Sequence, residues 1–91
     1  MKIWFKEYKK GKMLRDCIIE AVEDDTRTHK VFNSLDKAAR ELDLAVPIWL
    51  DRNISDFKRN SRTRFNQDSF VEEIEFDYLE MSVIEEDDLI F

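Results

Sequence analysis

Lys2-Ile3-Trp4-Phe5-Lys6-Glu7-Tyr8, followed by Lys9-Lys10-Gly11-Lys12, is the stretch that decides the fold. Its side chains alternate. Ile3 and Phe5 fall on one face, and Trp4, Lys6 and Tyr8 on the other, the period of a β-strand rich in aromatic and β-branched residues. Gly11 is the one glycine of the chain and supplies the positive φ that a tight hairpin loop needs. Met13 to Val22 then reads as the return strand. Leu14, Ile18 and Val22 recur every fourth residue, with Cys17 and Ile19 opposite them. Apolar character on both faces predicts a central position in the sheet.

Working outward, Glu23-Asp24-Asp25 is a turn, because Asp hydrogen-bonds its own backbone and tolerates left-handed conformations. Thr26 to Phe32 has two readings: a third strand completing a meander, or the opening turns of the helix that follows. The β-branched Thr26, Thr28 and Val31 favour the strand. A helix is then expected from Asn33-Ser34, with Leu35, Ala38, Ala39 and Leu42 as its apolar stripe. It ends near Asp43-Leu44, since Pro47 biases Val46 away from helix. Asp51 caps a second, shorter helix carrying Leu50, Ile54 and Phe57 and closing on Lys58 and Arg59. Arg62 to Phe65 reads as a brief strand. Glu72 to Glu85 is the longest strand candidate. Its apolar parity slips from Ile74, Phe76 and Tyr78 to Leu79, Met81 and Val83, which predicts a bulge or a change of partner.

The expected fold is therefore α+β: an antiparallel sheet, made of a three-strand N-terminal meander and a long C-terminal strand, with two helices packed on one face. Residues 1–86 form a single domain and 87–91 a frayed tail. The expected core is Ile3, Phe5, Ile18, Phe32, Leu35, Leu42, Ile54, Phe57 and Phe76.

Composition bounds the function. A chain of 91 residues has room for one core. Apolar residues at 43 % allow that core, while charged residues at 40 % leave an unusually charged surface. No apolar run reaches the roughly 20 residues of a membrane span, and the first residues lack a signal-peptide core. A single cysteine, Cys17, fits a reducing cytoplasm. The net charge of −6 is divided: residues 1–66 hold all fifteen Lys and Arg, whereas residues 67–91 hold ten acids and no base.

Four strings in the chain are distinctive together: Met1-Lys2-Ile3-Trp4-Phe5-Lys6, Asp25-Thr26-Arg27-Thr28-His29-Lys30-Val31-Phe32, Pro47-Ile48-Trp49-Leu50-Asp51 and Glu75-Phe76-Asp77-Tyr78-Leu79-Glu80. They resemble a family of short, uncharacterised bacterial cytosolic proteins with no assigned activity, over nearly the whole length. The resemblance implies an intracellular bacterial protein and brings no catalytic residues with it.

Enzymatic constellations are thin. Nucleophilic catalysis would need the one histidine, His29, beside Cys17 or a serine, and Cys17 lies among Ile18 and Ile19, an apolar setting that makes a thiol inert. One Cys and one His cannot complete a structural zinc site, and a lone glycine cannot make a phosphate loop. The carboxylates lack calcium-loop spacing and read as a solvated strand edge. No catalytic residue, metal or cofactor is expected. Two binding readings remain. In the first, the chain is a non-enzymatic protein-interaction module that meets a protein partner or its own copy through Trp4, Tyr8, Trp49, Leu89, Ile90 and Phe91. In the second, the basic segment 58–64, through Lys58, Arg59, Arg62 and Arg64, contacts nucleic acid, against a sequence pI near 4.8.

Overall fold

A computed structural model describes residues 1–87. Strand β1 (Lys2–Lys9) and strand β2 (Lys12–Glu20) form the expected hairpin. Lys10 (φ 51°) and Gly11 (φ 75°) both have positive φ, as a two-residue I′ hairpin turn requires. The Lys10 amide donates to the Asp77 carboxylate at 2.8 Å and ties the turn to a distant loop. Helix α1 (Arg27–Glu41) and helix α2 (Asp51–Asn60) follow, then β3 (Arg62–Phe65), a single 3₁₀ turn (Gln67–Ser69) and β4 (Tyr78–Glu85). All pairings in the four-stranded sheet are antiparallel, in the order β2-β1-β4-β3. The architecture is α+β with two helices, as the sequence predicts.

Four expectations are corrected. The segment Thr26–Phe32 is not a third strand, so only two strands precede the helices. Thr26 is the N-cap of α1, its hydroxyl accepting from the His29 amide at 3.2 Å, and Asp25 accepts from the Thr26 amide at 2.7 Å. The helix thus begins well before Asn33-Ser34, and Val31 joins Leu35, Ala38 and Leu42 on one buried stripe. Next, β2 is an edge strand rather than a central one, because among the described residues β1 alone pairs with it. The long C-terminal strand is in turn only Tyr78–Glu85, and it lies inside the sheet between β1 and β3. The parity slip at Tyr78-Leu79 marks where loop gives way to strand. The last correction concerns the core: Ile18 (52 % exposed), Phe32 (46 %) and Ile54 (42 %) are outside it. Ile18 pairs with Trp4 on the face away from the helices, Phe32 is one residue off the α1 stripe, and Asn53 takes the buried position on α2 that Ile54 was expected to fill.

The core lies between one sheet face and the helices. Ile3 and Phe5 from β1, Cys17 and Ile19 from β2, Leu79 and Met81 from β4 and Phe65 from β3 meet Val31, Leu35, Leu42 and Phe57. Phe70 and Phe76, both from the loop between the 3₁₀ turn and β4, close one end, ring to ring at 5.9 Å. Buried Asn53 welds α2 to β3. Its amide nitrogen donates to Thr63 Oγ1 and to the Arg64 carbonyl, both at 2.9 Å, while its oxygen accepts from the Leu50 amide at 3.0 Å. Asp87 accepts from the Met1 ammonium and from Lys30 Nζ, each at 2.8 Å.

Candidate protein-interaction face

Because side chains alternate along a strand, covering the Ile3/Phe5 face with helices leaves the opposite sheet face to Trp4, Lys6 and Tyr8. No layer covers that face among the described residues. Register builds it row by row. Tyr8 sits opposite Tyr78 and Met13; Lys6 lies between Asp16 and Glu80, with Arg64 beyond; Trp4 lies between Ile18 and Ser82, with Arg62 beyond. Trp4, Tyr8 and Tyr78 are half-buried, and the two tyrosine rings stack at 5.3 Å.

Charge on this face is already paired. Reading across the four strands gives Asp16, Lys6, Glu80 and Arg64, signs alternating. Glu80 accepts from Lys6 Nζ at 3.0 Å and from Arg64 Nε at 3.2 Å. Burial pushes the Glu80 carboxyl up, but the hydrogen bonds from Lys6 and Arg64 outweigh it and hold the group below the ordinary range. The Lys6 ammonium rests 4.1 Å from the Trp4 ring, and the Arg64 guanidinium 4.5 Å from Tyr78. The Trp4 indole donates to Asp16 at 2.8 Å, which fixes its ring.

Of the residues singled out from sequence, Trp4 and Tyr8 are brought together here, and Arg62 and Arg64 lie at the same face's β3 edge. Tyr78 was missed as a site residue, although its alternation with Glu80 could have placed it beside Tyr8. Trp49 is elsewhere: it packs edge-on against Phe32, Phe57 and Phe65 on the helix side, with 5.2–5.7 Å between ring centroids. The expected sites at Leu89, Ile90 and Phe91 lie outside the described residues. The basic segment is split. Arg64 is spent on Glu80, while Lys58, Arg59 and Arg62 form no ion pair among the described residues. Arg52 binds Asp68 through two 2.7 Å hydrogen bonds, and Arg27 binds Glu86. The interior position of β4 also overturns the reading of this segment's carboxylates as a solvated strand edge.

A second concavity, of about 690 Å³, lies between the hairpin and the loop leading to β4. Glu72, Glu73 and Glu75 line it together with Glu7, whose buried carboxylate is satisfied by two hydrogen bonds from Arg15. No group of three acids, His or Cys suited to a metal ion occurs among the described residues. Burial pushes the Cys17 thiol up to about 11, so the free cysteine is a neutral core side chain at ordinary pH. His29 lies 2.8 Å from Asp25 at the exposed start of α1. No described helix is long and apolar enough to cross a membrane. Comparison of the chain with protein-family models, with curated proteins and with solved structures gives no match.

Proposed function

We propose that this chain is a non-enzymatic protein-interaction module that takes a protein partner on the open sheet face, and that it does so in the cytoplasm. One observation carries the reading: Trp4, Tyr8 and Tyr78 occupy a sheet face with no covering layer among the described residues, in a row beside cations that Glu80 has already neutralised. Aromatic side chains with restricted rotamers are the usual anchors of protein interfaces. A polyanion gains little from Lys6 and Arg64, because it would have to displace a carboxylate that holds both. The single thiol of Cys17 supports a reducing compartment.

The test is comparative capture from host lysate with the wild-type chain and with Trp4→Ala and Tyr78→Ala. A partner retained by wild type and lost by both folded variants supports the reading. A partner held equally by all three chains overturns it. The second reading, nucleic-acid contact, is favoured by Lys58, Arg59 and Arg62, which carry no ion pair among the described residues and lie close to the end of α2. In that case Arg62→Ala weakens binding to labelled oligonucleotides and lowers the salt slope by about one. Absence of binding to single- or double-stranded nucleic acid at low salt removes it.

A further inference from the structure

The side of the molecule remote from the open sheet face carries a groove of about 210 Å³ between α1 and α2. Val31, Phe32, Trp49, Ile54 and Phe57 supply its apolar lining, and Arg27 and Lys58 its charged lining. Phe32 and Ile54, on the two facing helices, are 46 % and 42 % exposed, and Ile48 on the connection into α2 is 50 % exposed. Large side chains left open on neighbouring elements mark a contact site rather than scattered surface residues.

The charges along the groove are polarised. Arg27 lies 5.1 Å from the Phe57 ring and donates to Ser61, so the start of α1 adjoins the end of α2. Phe32 meets Trp49, which precedes α2, so the middle of α1 adjoins the start of α2. The helices therefore run in opposite senses. Residues spaced by three or four share a helix face. On α2 this places Asp51, Ile54 and Lys58 in one stripe, and on α1 Thr28, Phe32 and Asp36. One end of the face then carries the unpaired charge of Lys58, with Arg27 beside it held by Glu86, the other end is acidic (Asp36, Asp51), and the middle is apolar.

We infer that this face pairs with a second copy of the same chain about a two-fold axis crossing the groove at Phe32 and Ile54. Such an axis lays each α2 antiparallel on its counterpart. Lys58 then meets Asp51 of the other copy, Ile54 lies over the Ile54–Ser55 turn of the other copy, and each basic end lies on an acidic end. A two-fold axis running along the groove would instead put like ends together, so the charge pattern selects one of the two closed geometries. Ten residues of α2 span about 15 Å, and two helices side by side about 20 Å. That footprint is well below the roughly 800 Å² per partner of a standard interface, so the dimer is weak and concentration-dependent. The sheet faces of both copies stay free, so the inference does not depend on the proposed function.

Sedimentation velocity from about 10 µM to about 1 mM, the range in which a small interface associates, is the measurement. Wild type is expected to move from monomer toward dimer. Ile54→Glu, at an exposed position that tolerates polarity, abolishes the shift while circular dichroism stays native. Lys58→Glu and Asp51→Lys each weaken self-association about tenfold, since each reverses two symmetry-related pairs. An equimolar mixture of those two variants recovers association, because the glutamate introduced in one chain then faces the lysine introduced in the other. A wild type that is monomeric throughout overturns the inference. So does a dimer indifferent to Ile54→Glu, or a mixture of charge variants no better than either alone. Trp4→Ala, on the opposite face, leaves the dimer unchanged.

Discussion

Replacing Glu80 with Gln removes one charge from the middle of the open sheet face and keeps the side chain's shape. The Glu80 side chain is 8 % exposed and holds Lys6, itself 13 % exposed, and Arg64, which is 58 % exposed. Breaking a sheltered ion pair while leaving the other charge in place costs about 3–5 kcal/mol when both groups are fully buried. Arg64 is more than half in water and contributes little once screened. The loss therefore falls on Lys6, and about 2–3 kcal/mol is expected at pH 7. Small domains hold about 5–10 kcal/mol in total, so this is a large fraction of the stability. Near the midpoint it lowers Tm by about 10–20 °C. The pH dependence follows from the sign of the shift. The folded Glu80 carboxyl sits below its ordinary range, so its stabilisation is present in full above the unfolded value near 4.3 and fades as pH falls through the folded value. Urea titrations of wild type and Glu80→Gln should differ most at pH 7 and draw together as acid takes the wild-type carboxyl through its lowered folded value. A difference below about 1 kcal/mol at pH 7, or one that persists unchanged in acid, would refute the placement of Glu80 as the hub of this face.

Phe57→Ala removes a buried ring that Trp49 and Arg27 both cover, and urea unfolding should show a loss of about 3–4 kcal/mol; a midpoint shift near zero would mean that the α2 stripe is not core. Asn53→Ala orphans the Leu50 amide and the Arg64 carbonyl together, so a loss of about 2–4 kcal/mol is expected, with faster hydrogen exchange at the Leu50 amide. Cys17, with a thiol raised to about 11, should react with a disulfide reagent far more slowly in the native protein at pH 8 than in urea; equal rates would place the sulfur at the surface.

The hairpin was legible because strand period, turn residue and register agree over one short stretch, with nothing distant needed to decide it. Thr26–Phe32 misled because β-branching is a weak, context-dependent preference, whereas the capping hydrogen bonds at Asp25 and Thr26 and the Val31–Leu35–Ala38–Leu42 stripe act together. That stripe was present in the sequence, its first member lying upstream of where the helix was expected to begin. Ile54 misled differently. Leu50-Ile54-Phe57 and Leu50-Asn53-Phe57 are both helical spacings, and only the polar groups of β3, which Asn53 satisfies, choose between them. Strand order was out of reach of local pattern: β2 is apolar on both faces yet lies at an edge.

The division of charge along the chain shows how topology turns a sequence feature into a surface with a different meaning. Residues 1–66 are basic on balance and the remainder strongly acidic, a division that fits either mutual neutralisation of acidic strand and basic segment or separate patches. The sheet order places acidic β4 between β1 and β3, the strands that carry Lys6 and Arg64. Glu80 thereby lies between two cations from opposite ends of the basic part of the chain. Neutralisation holds at the centre of the sheet, where Glu80 meets Lys6 and Arg64, while Lys58, Arg59 and Arg62 form no ion pair among the described residues. Strand order thus cancels charge at the centre of the face, around Glu80, and leaves it at the β3 edge, where Arg62 lies, and at the end of α2. Glu80→Gln undoes the cancellation, because it frees Lys6 and Arg64 beside Trp4 and Tyr78. If cancellation is what excludes polyanions from this face, the variant should bind single-stranded nucleic acid at low salt where wild type does not.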